Sequence, residues 1–237
     1  MDILKVLREQ KEVKLKGNLY HNVQIRFSYN TNRIEGSQLS EDETRHIFET
    51  NTIMNKENTT NVDDIVETTN HFYLFDDMLD NVETPLTEEL MKHYHTILKR
   101  GTSDERKDWF NVGDYKQLQN EVGGILTAKP KEVPTKMKEL LDWYNNLNVV
   151  TLENIIEFHY QFERIHPFQD GNGRVGRMIM FKECLKNNIT PFIIDEEHKL
   201  FYYRGLKEYK NEKGWLTDTI KDCQDAFIKL VETFLIN

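Results

Sequence analysis

The stretch HPFQDGNGRVGR (166–177) decides the fold of this 237-residue chain. It contains Gly171, Gly173 and Gly176 in the spacing G-x-G-x-x-G, and about twenty residues later the apolar run PFII ends in Asp195. A dinucleotide-binding fold has this spacing and an acid at this distance, but it also needs a buried β-strand that leads into the first glycine. The context of the stretch therefore decides what it is.

The residues before this stretch have the pattern of a helix. In TLENIIEFHYQFERI (151–165), Ile155, Phe158 and Phe162 fall on one helical face. The helix should end at His166 because a residue that precedes proline disfavours the helical conformation. The following RVGRMIMFKECLKNN resumes helical spacing. The sequence thus predicts helix, tight loop and helix, and without the strand the dinucleotide interpretation loses its support.

Helical periodicity and capping signals run through most of the chain. Ser40 and Glu43 have capping-box spacing, and TPLTEELMKHYHTIL (84–98) predicts a helix with its N-cap at Thr84 and a proline in the first turn. Only YKQLQNEVGGILTAKPKEVP (115–134), with paired glycines and two prolines, predicts a short hairpin or an extended loop. We therefore expect an all-α, mostly helical fold with one short β element.

Composition excludes several classes of function. The net charge is −9, with acids and bases interspersed, which argues against nucleic acid or an anionic membrane surface as a partner. Cys184 and Cys223 form no C-x-x-C pair, so neither a disulfide framework nor a thiolate metal site is predicted. No stretch reaches about 18 consecutive apolar residues. We expect a cytoplasmic protein with one compact unit.

The glycine-containing loop has the chemistry of an anion site. Glycines at 171 and 173, at the start of a helix, let successive backbone N–H groups point to one place, and the helix dipole favours an anion there. Arg174 and Arg177 are three apart, so they share one face of the first turn and can grip a polyphosphate.

Two further side chains give the loop catalytic potential. A carboxylate such as Asp170, beside bound phosphates, is the usual protein contribution to a Mg²⁺ site. His166 is placed to take a proton from an attacking hydroxyl. Singly, each feature fits an ordinary turn or loop histidine, and Phe168 fits a core plug that anchors the loop. Together, within one short segment, they favour phosphate chemistry.

The stretch matches, at every specified position, the signature H-P-F-x-[D/E]-G-N-G-R-x-x-R of the Fic family. We call residues 166–177 the signature segment. The resemblance extends over about residues 80–220. It implies a mostly helical bundle with a β-hairpin flap (about 115–130) over the active site, in a catalytic core (81–237) that follows an N-terminal helical region (1–80).

The resemblance also implies an activity, namely Mg²⁺-dependent transfer of AMP from ATP to a Ser, Thr or Tyr hydroxyl of a protein, with release of pyrophosphate. His166 would deprotonate the hydroxyl, and Asp170 would hold the metal. Asn172 would contact the phosphate under attack, Arg174 the outer phosphates and Arg177 the γ-phosphate. The implied nucleotide-binding residues are Asp170, Gly171, Asn172, Gly173, Arg174, Arg177, Val122, Gly123, Gly124, Ile125, Tyr203 and Asn211.

A second short motif lies upstream, at about residues 28–36. Thr31, Glu35 and Gly36 resemble the family's inhibitory motif [S/T]-x-x-x-E-[G/N], which in some members lies on a helix before the catalytic core. The resemblance implies that Glu35 forms a bidentate ion pair with Arg177, where the γ-phosphate should bind. The chain would then be largely self-inhibited.

Several alternatives remain open from the sequence. Glu35 can instead pair with Arg33 on the surface, or orient a water molecule so that the site removes AMP from a modified protein. A nucleotide sensor is a further alternative, although binding alone needs no catalytic histidine. The substrate is expected to be a protein, and Ser28, Tyr29 and Thr31 are candidates for self-modification. A homodimer that buries the inhibitory helix is also expected.

Overall fold

The structure is a computed structural model that describes residues 2–54 and 59–235. Within those ranges it has ten α-helices and one two-stranded hairpin, β1 (Glu121–Val122) and β2 (Ile125–Leu126), so the predicted fold class is confirmed. The helices are α1 (Ile3–Val13), α2 (Leu19–Ile34), α3 (Glu41–Thr50), α4 (Val62–Asp80), α5 (Glu88–Lys99), α6 (Val133–Asn145), α7 (Leu152–Ile165), α8 (Asn172–Lys186), α9 (Lys199–Glu208) and α10 (Gly214–Leu235).

The signature segment folds as the sequence predicts. Helix α7 ends where His166 adopts the left-handed conformation (φ 52°), and α8 begins after Gly171, whose φ is 79°. Every residue of α8 from Asn172 to Leu185 is buried, although several of them are charged. A helix that is enclosed on all sides must pair its charges within the protein. Helix α8 is therefore the central helix of the bundle.

Helix α2 is a second central helix. Of its 16 residues 13 are buried, and Phe27 stacks on Phe181 of α8, with ring centroids 5.0 Å apart. Phe27 also meets Phe75 of α4 edge-on. The main hydrophobic core joins side chains from both sides of residue 80. The N-terminal region is thus part of the same packed body as the signature segment.

One predicted helix start is wrong. Helix α5 has its N-cap at Thr87, whose hydroxyl accepts a hydrogen bond from the Leu90 N–H (3.2 Å), and not at Thr84. Leu86 is buried in the core, with 1% of its surface exposed, and this holds the preceding segment outside the helix. Thr87 is also followed directly by two acids, which suit a first helical turn.

The predicted hairpin is confirmed. Its strands pair antiparallel, with Val122 opposite Ile125, and the turn residues Gly123 and Gly124 have φ of 57° and 77°. Two successive positive φ angles are typical of a type I′ turn, which glycine tolerates best. All strand residues are exposed, so the hairpin projects from the helical body.

The two cysteines, Cys184 and Cys223, are buried and free, as the sequence predicts. Among the residues that the structure describes, none of the helices combines the length and apolar character needed to cross a membrane.

We predict that Phe27→Ala lowers the free energy of unfolding by about 3–5 kcal/mol, because it opens a cavity between α2, α4 and α8. Urea denaturation measures this change. The matched control is Phe201→Ala on α9, where the ring is 55% exposed and the cost should stay within about 0.5 kcal/mol. Equal losses in the two variants would contradict a core role for α2.

Candidate active site

A cavity of about 510 Å³ lies between the flap, the α7–α8 pair and α9. The predicted site residues that line it are Glu35, Val122, Gly123, Ile125, His166, Gly173, Arg177 and Tyr203. A larger open groove of about 690 Å³ runs between α6, α7 and α10, but no residue of the signature segment lines it. The smaller cavity is therefore the candidate site.

The first turn of α8 offers an anion cradle. Its N-cap residue, Gly171, has no side chain to cap the backbone N–H groups, and the first N–H groups of a helix have no partner within the helix. The side chain of Asn172 is turned inward, because it accepts from the Phe168 N–H (2.8 Å) and donates to the Phe168 carbonyl (2.9 Å). The side chain of Asn172 is thus engaged within the loop, and the expected contact between Asn172 and the phosphate under attack stays a prediction.

His95 of α5 anchors the loop before this cradle. Its Nδ1 accepts from the Gly113 N–H (2.9 Å), so its Nε2 carries the proton and donates to the Asp170 carbonyl (3.2 Å). Its ring stacks on Phe168 with centroids 4.1 Å apart. Burial lowers the pKa of His95 to about 3, so the ring stays neutral. Phe168 is fully buried, as the core-plug prediction requires.

His166 is held in a strained backbone conformation at the end of α7. Its φ of 52° is uncommon for a residue other than glycine, and its N–H caps the helix by donating to the Phe162 carbonyl (2.8 Å). The Nδ1 atom of its ring is buried in the protein. The ring lines the cavity, and its Nε2 atom is not enclosed as Nδ1 is. Such strain is common where function fixes a side chain.

Arg177 is almost completely buried and is bound by α2. One of its terminal nitrogens, Nη2, donates to Glu35 Oε1 (2.5 Å) and to the Thr31 carbonyl (3.1 Å). Its Nε donates to the Thr31 hydroxyl (2.6 Å). Glu35 therefore makes one hydrogen bond to Arg177, between Oε1 and Nη2, and not the bidentate pair that we predicted, while Thr31 takes the Nε–H.

The end of α2 fixes the position of Glu35. Ser37 N–H bonds to the Asn32 carbonyl (3.0 Å), and Gly36 N–H bonds to the Arg33 carbonyl (3.2 Å), which together form a Schellman motif. Gly36 has φ of 103°, a conformation that other residues rarely adopt. The glycine of the inhibitory motif is thus explained by helix termination directly after Glu35.

The absence of a side chain at Gly173 lets the Glu35 carboxylate lie against the anion cradle. A Cβ atom at position 173 would lie 2.2 Å from Glu35 Oε1 and 2.9 Å from Arg177 Nη1. Glu35 therefore lies against the backbone of the first turn of α8. Arg33 is engaged elsewhere, with the Ser37 carbonyl (3.0 Å) and Glu196 (3.3 Å), so its pairing with Glu35 is not observed.

The remaining predicted residues have mixed outcomes. Tyr203 lines the cavity and donates its hydroxyl to the Ile34 carbonyl (3.1 Å), next to Glu35. Asn211 is exposed, bonds to Glu208 (3.3 Å) and does not line the cavity, so it is not brought together with the other residues. Gly124, at the flap tip, is not among the lining residues either.

Two of the predicted self-modification sites are inaccessible in this structure. Ser28 is fully buried and Thr31 has 1% of its surface exposed. The third, Tyr29, is partly buried, and its hydroxyl donates to Glu196 (3.2 Å).

A buried network of charges lies behind the cradle. The ammonium group of Lys99, with 2% of the side chain exposed, is 2.5 Å from Glu67, 2.6 Å from Asp104 and 2.7 Å from Asp170. Arg174 pairs with the same Glu67 and, at 3.1 Å, with Asp170. The three carboxylates are close enough together to bind a metal, but Lys99 already lies among them. Sequence analysis missed Glu67, Lys99 and Asp104.

Asp170 remains suited to Mg²⁺. Its side chain is 49% exposed, and its contacts with Lys99 and Arg174 are made through Oδ2. Partial burial opposes ionisation, but the charges of Arg174 and Lys99 outweigh it and hold the pKa of Asp170 well below its usual range. An ionised oxygen ligand beside a phosphate cradle fits Mg²⁺, which takes one or two carboxylates and completes its shell with phosphate oxygens and water.

Lys116 is another residue whose role the sequence did not show. Its ammonium group donates to Asn120 (2.7 Å), to Thr127 (2.6 Å) and to the Ile165 carbonyl (3.2 Å), and its backbone N–H donates to the Pro167 carbonyl (2.8 Å). Burial lowers the pKa of Lys116 to about 8. Lys116 thereby ties both ends of the flap to the signature segment.

Comparison with known proteins finds a family match that includes the signature segment. Residues 85–184 match the sequence model of the Fic/DOC family. The protein adenylyltransferase Fic of Drosophila erecta is 25% identical over 233 residues, which cover 97% of this chain and 43% of that protein. The protein adenylyltransferase fic-1 of Caenorhabditis elegans is 24% identical over 185 residues, covering 76% of this chain and 35% of that protein. The chain thus spans less than half the length of these relatives.

Solved structures share the fold. A Fic domain containing signaling protein from Bacteroides thetaiotaomicron has a TM-score of 0.76 at 23% identity, with 96% of this chain and 93% of that chain covered. Fic-1 from Caenorhabditis elegans has a TM-score of 0.72 at 19% identity, with 97% and 72% covered. These matches extend over the N-terminal helices as well as the signature segment.

We predict that Lys99→Met lowers the free energy of unfolding by about 3–5 kcal/mol, because three carboxylates lose their buried cation. Chemical denaturation at neutral pH measures this loss. Lys107→Met, which removes an exposed partner of Asp104, is the control and should cost little. A loss of stability in Lys99→Met as small as that in Lys107→Met would contradict a stabilising role for the buried charge network.

Proposed function

We propose that this chain, which matches the sequence model of the Fic/DOC family over residues 85–184, transfers AMP from ATP to a Ser, Thr or Tyr hydroxyl of a protein and that Glu35 restrains this reaction. Three features of one cavity support the activity: the open ring nitrogen of His166, the uncapped first turn of α8 and the adjoining flap. The names of the curated relatives agree with it.

The chemistry follows from these positions. His166 Nε2 takes the proton of the target hydroxyl as its oxygen attacks the α-phosphorus. The bond from that phosphorus to its bridging oxygen breaks, and pyrophosphate leaves. The N–H groups of the α8 first turn stabilise the negative charge, so positioning and electrostatics supply most of the catalysis. Asp170 would hold Mg²⁺, which when bound neutralises phosphate charge.

The contact between Glu35 and Arg177, packed against Gly173, is the observation that carries the proposed restraint. A γ-phosphate that used Arg177 would need nitrogens that α2 already occupies. It would also meet the Glu35 carboxylate at the cradle, where like charges repel. ATP would then bind with its phosphates displaced from the geometry for attack.

Removal of AMP from a modified protein is a second candidate. The observation in its favour is that the Glu35 carboxylate lines the same cavity as His166, where it can orient a water molecule. A sensor that only binds nucleotide receives less support, because binding does not require the strained, cavity-facing His166.

A protein target is expected to bind beside the flap. The strand residues of the hairpin are exposed, and an extended target segment can add to such an edge through backbone hydrogen bonds. The expected homodimer stays a prediction, and 13 of the 16 residues of α2 are already buried within the chain.

Labelling with α-labelled and, separately, γ-labelled ATP plus Mg²⁺ tests the proposal. We expect Glu35→Gly to raise incorporation of α-label by about 10²-fold, because Arg177 becomes free to bind the γ-phosphate. Adding His166→Ala should abolish that label. Glu208→Gly, at the end of α9, is the matched control and should behave like wild type.

Each other outcome is informative. Incorporation of γ-label alone would mean that phosphate is transferred, and AMP transfer would be rejected. Absence of any label, with release of AMP from a modified protein that depends on Glu35, would favour the removal reaction. Equal α-label in wild type and Glu35→Gly would reject the restraint but keep the transferase.

A further inference from the structure

A second carboxylate lies beside His166, in the lining of the same cavity. Glu163 is one turn earlier on α7, and its Oε2 is 3.6 Å from His166 Nδ1. This contact exists because His166 leaves the helix in the left-handed conformation while Glu163 stays within it. The distance fits an ion pair but is too long for a hydrogen bond.

Both groups have an unpaired atom at this contact. In the described part of the chain, His166 Nδ1 and Glu163 Oε1 are buried and have no hydrogen-bond partner. A buried polar atom without a partner is costly, by about 1–3 kcal/mol. Shortening the gap by about half an ångström would make a hydrogen bond. Catalytic hydrogen bonds are often long without substrate and tighten when it binds.

The surroundings keep Glu163 charged and available. Burial opposes its ionisation, but the interaction with His166 and the charge of Arg177 outweigh that, so the pKa of Glu163 is lowered. His159 also faces it, and burial lowers the pKa of His159 to about 4, which leaves that ring neutral. A Cβ at Gly176 would lie 2.8 Å from the His159 ring and 3.3 Å from Glu163 Oε1.

Among the described residues, Arg177 donates no hydrogen bond to Glu163 that would compete with the contact between Glu163 and His166. The hydrogen bonds that the Arg177 side chain donates within the described residues go to Thr31 and Glu35. The carboxylate thus faces a histidine whose opposite ring nitrogen is open to the cavity. A neutral imidazole whose Nδ1–H is bound by an acceptor presents Nε2 as the base.

We propose that Glu163 is a positioning residue for His166, which rests on the proposed function above. Glu163 accepts the Nδ1–H of His166, and this keeps Nε2 unprotonated and aimed into the cavity. When Nε2 takes the proton of the target hydroxyl, the carboxylate stabilises the resulting imidazolium without itself becoming protonated. The same division of roles operates in Ser-His-Asp enzymes.

The test compares Glu163→Gln, Glu163→Met and the control Glu153→Gln, whose side chain lies at the exposed start of α7. All are made in the Glu35→Gly background. ¹⁵N NMR of histidine-labelled protein reports which ring nitrogen carries the proton, and the His166 signal is identified by its loss in His166→Asn. This readout does not depend on AMP transfer.

We expect Nδ1–H in the parent, the control and Glu163→Gln, because the amide oxygen of Gln can still accept. Glu163→Met should shift the tautomer toward Nε2–H. Its kcat for α-label transfer should fall by about 10²- to 10³-fold, and that of Glu163→Gln by about tenfold, with KM for ATP changed less than about twofold.

An unchanged His166 tautomer in folded Glu163→Met would overturn the proposal, as would an equal fall of kcat in the control. If none of the proteins transfers AMP, the proposed function fails, while the tautomer comparison still decides whether Glu163 positions His166.

Discussion

The structure depends on how Arg177 is bound. This arginine lies on the central helix α8 and is almost entirely buried, so its charge must be compensated inside the protein. Thr31 and Glu35 of α2 provide that compensation. Because α2 is itself a core helix, it cannot leave without unfolding the bundle. Relief of the proposed restraint is therefore expected to involve the last turn of α2, after Asn32, and not the whole helix.

Compensation of a buried charge also accounts for the contacts on the other side of the anion cradle. Arg174, one turn before Arg177, is neutralised by Glu67 and Asp170, and Lys99 completes that network. The two arginines that a polyphosphate would use are thus both held by acids from the N-terminal region. Under the proposed function, a nucleotide would compete with Glu35 on one side and with Glu67 on the other, and it would gain contacts with the uncapped first turn of α8.

Features of the fold that depend on a few neighbouring residues were predicted correctly from the sequence. His166-Pro167 ended α7, the paired glycines formed the hairpin turn, and the contiguous signature segment brought its members together. Long-range partners were missed, because Glu67, Lys99 and Asp104 are common charged residues in unrelated segments whose meeting depends on the tertiary fold. The bidentate geometry of Glu35 was wrong for a related reason: which partner a side chain uses depends on competing groups, here Thr31, that spacing does not reveal.

The most direct test of this account is a crystal structure of wild type and of Glu35→Gly, each with Mg²⁺ and a non-hydrolysable ATP analogue. The account predicts that Arg177 bonds to the terminal phosphate in Glu35→Gly, whereas in wild type it stays with Glu35 and the phosphates lie elsewhere. A wild-type complex in which Arg177 binds the terminal phosphate while Glu35 keeps its contact would contradict it.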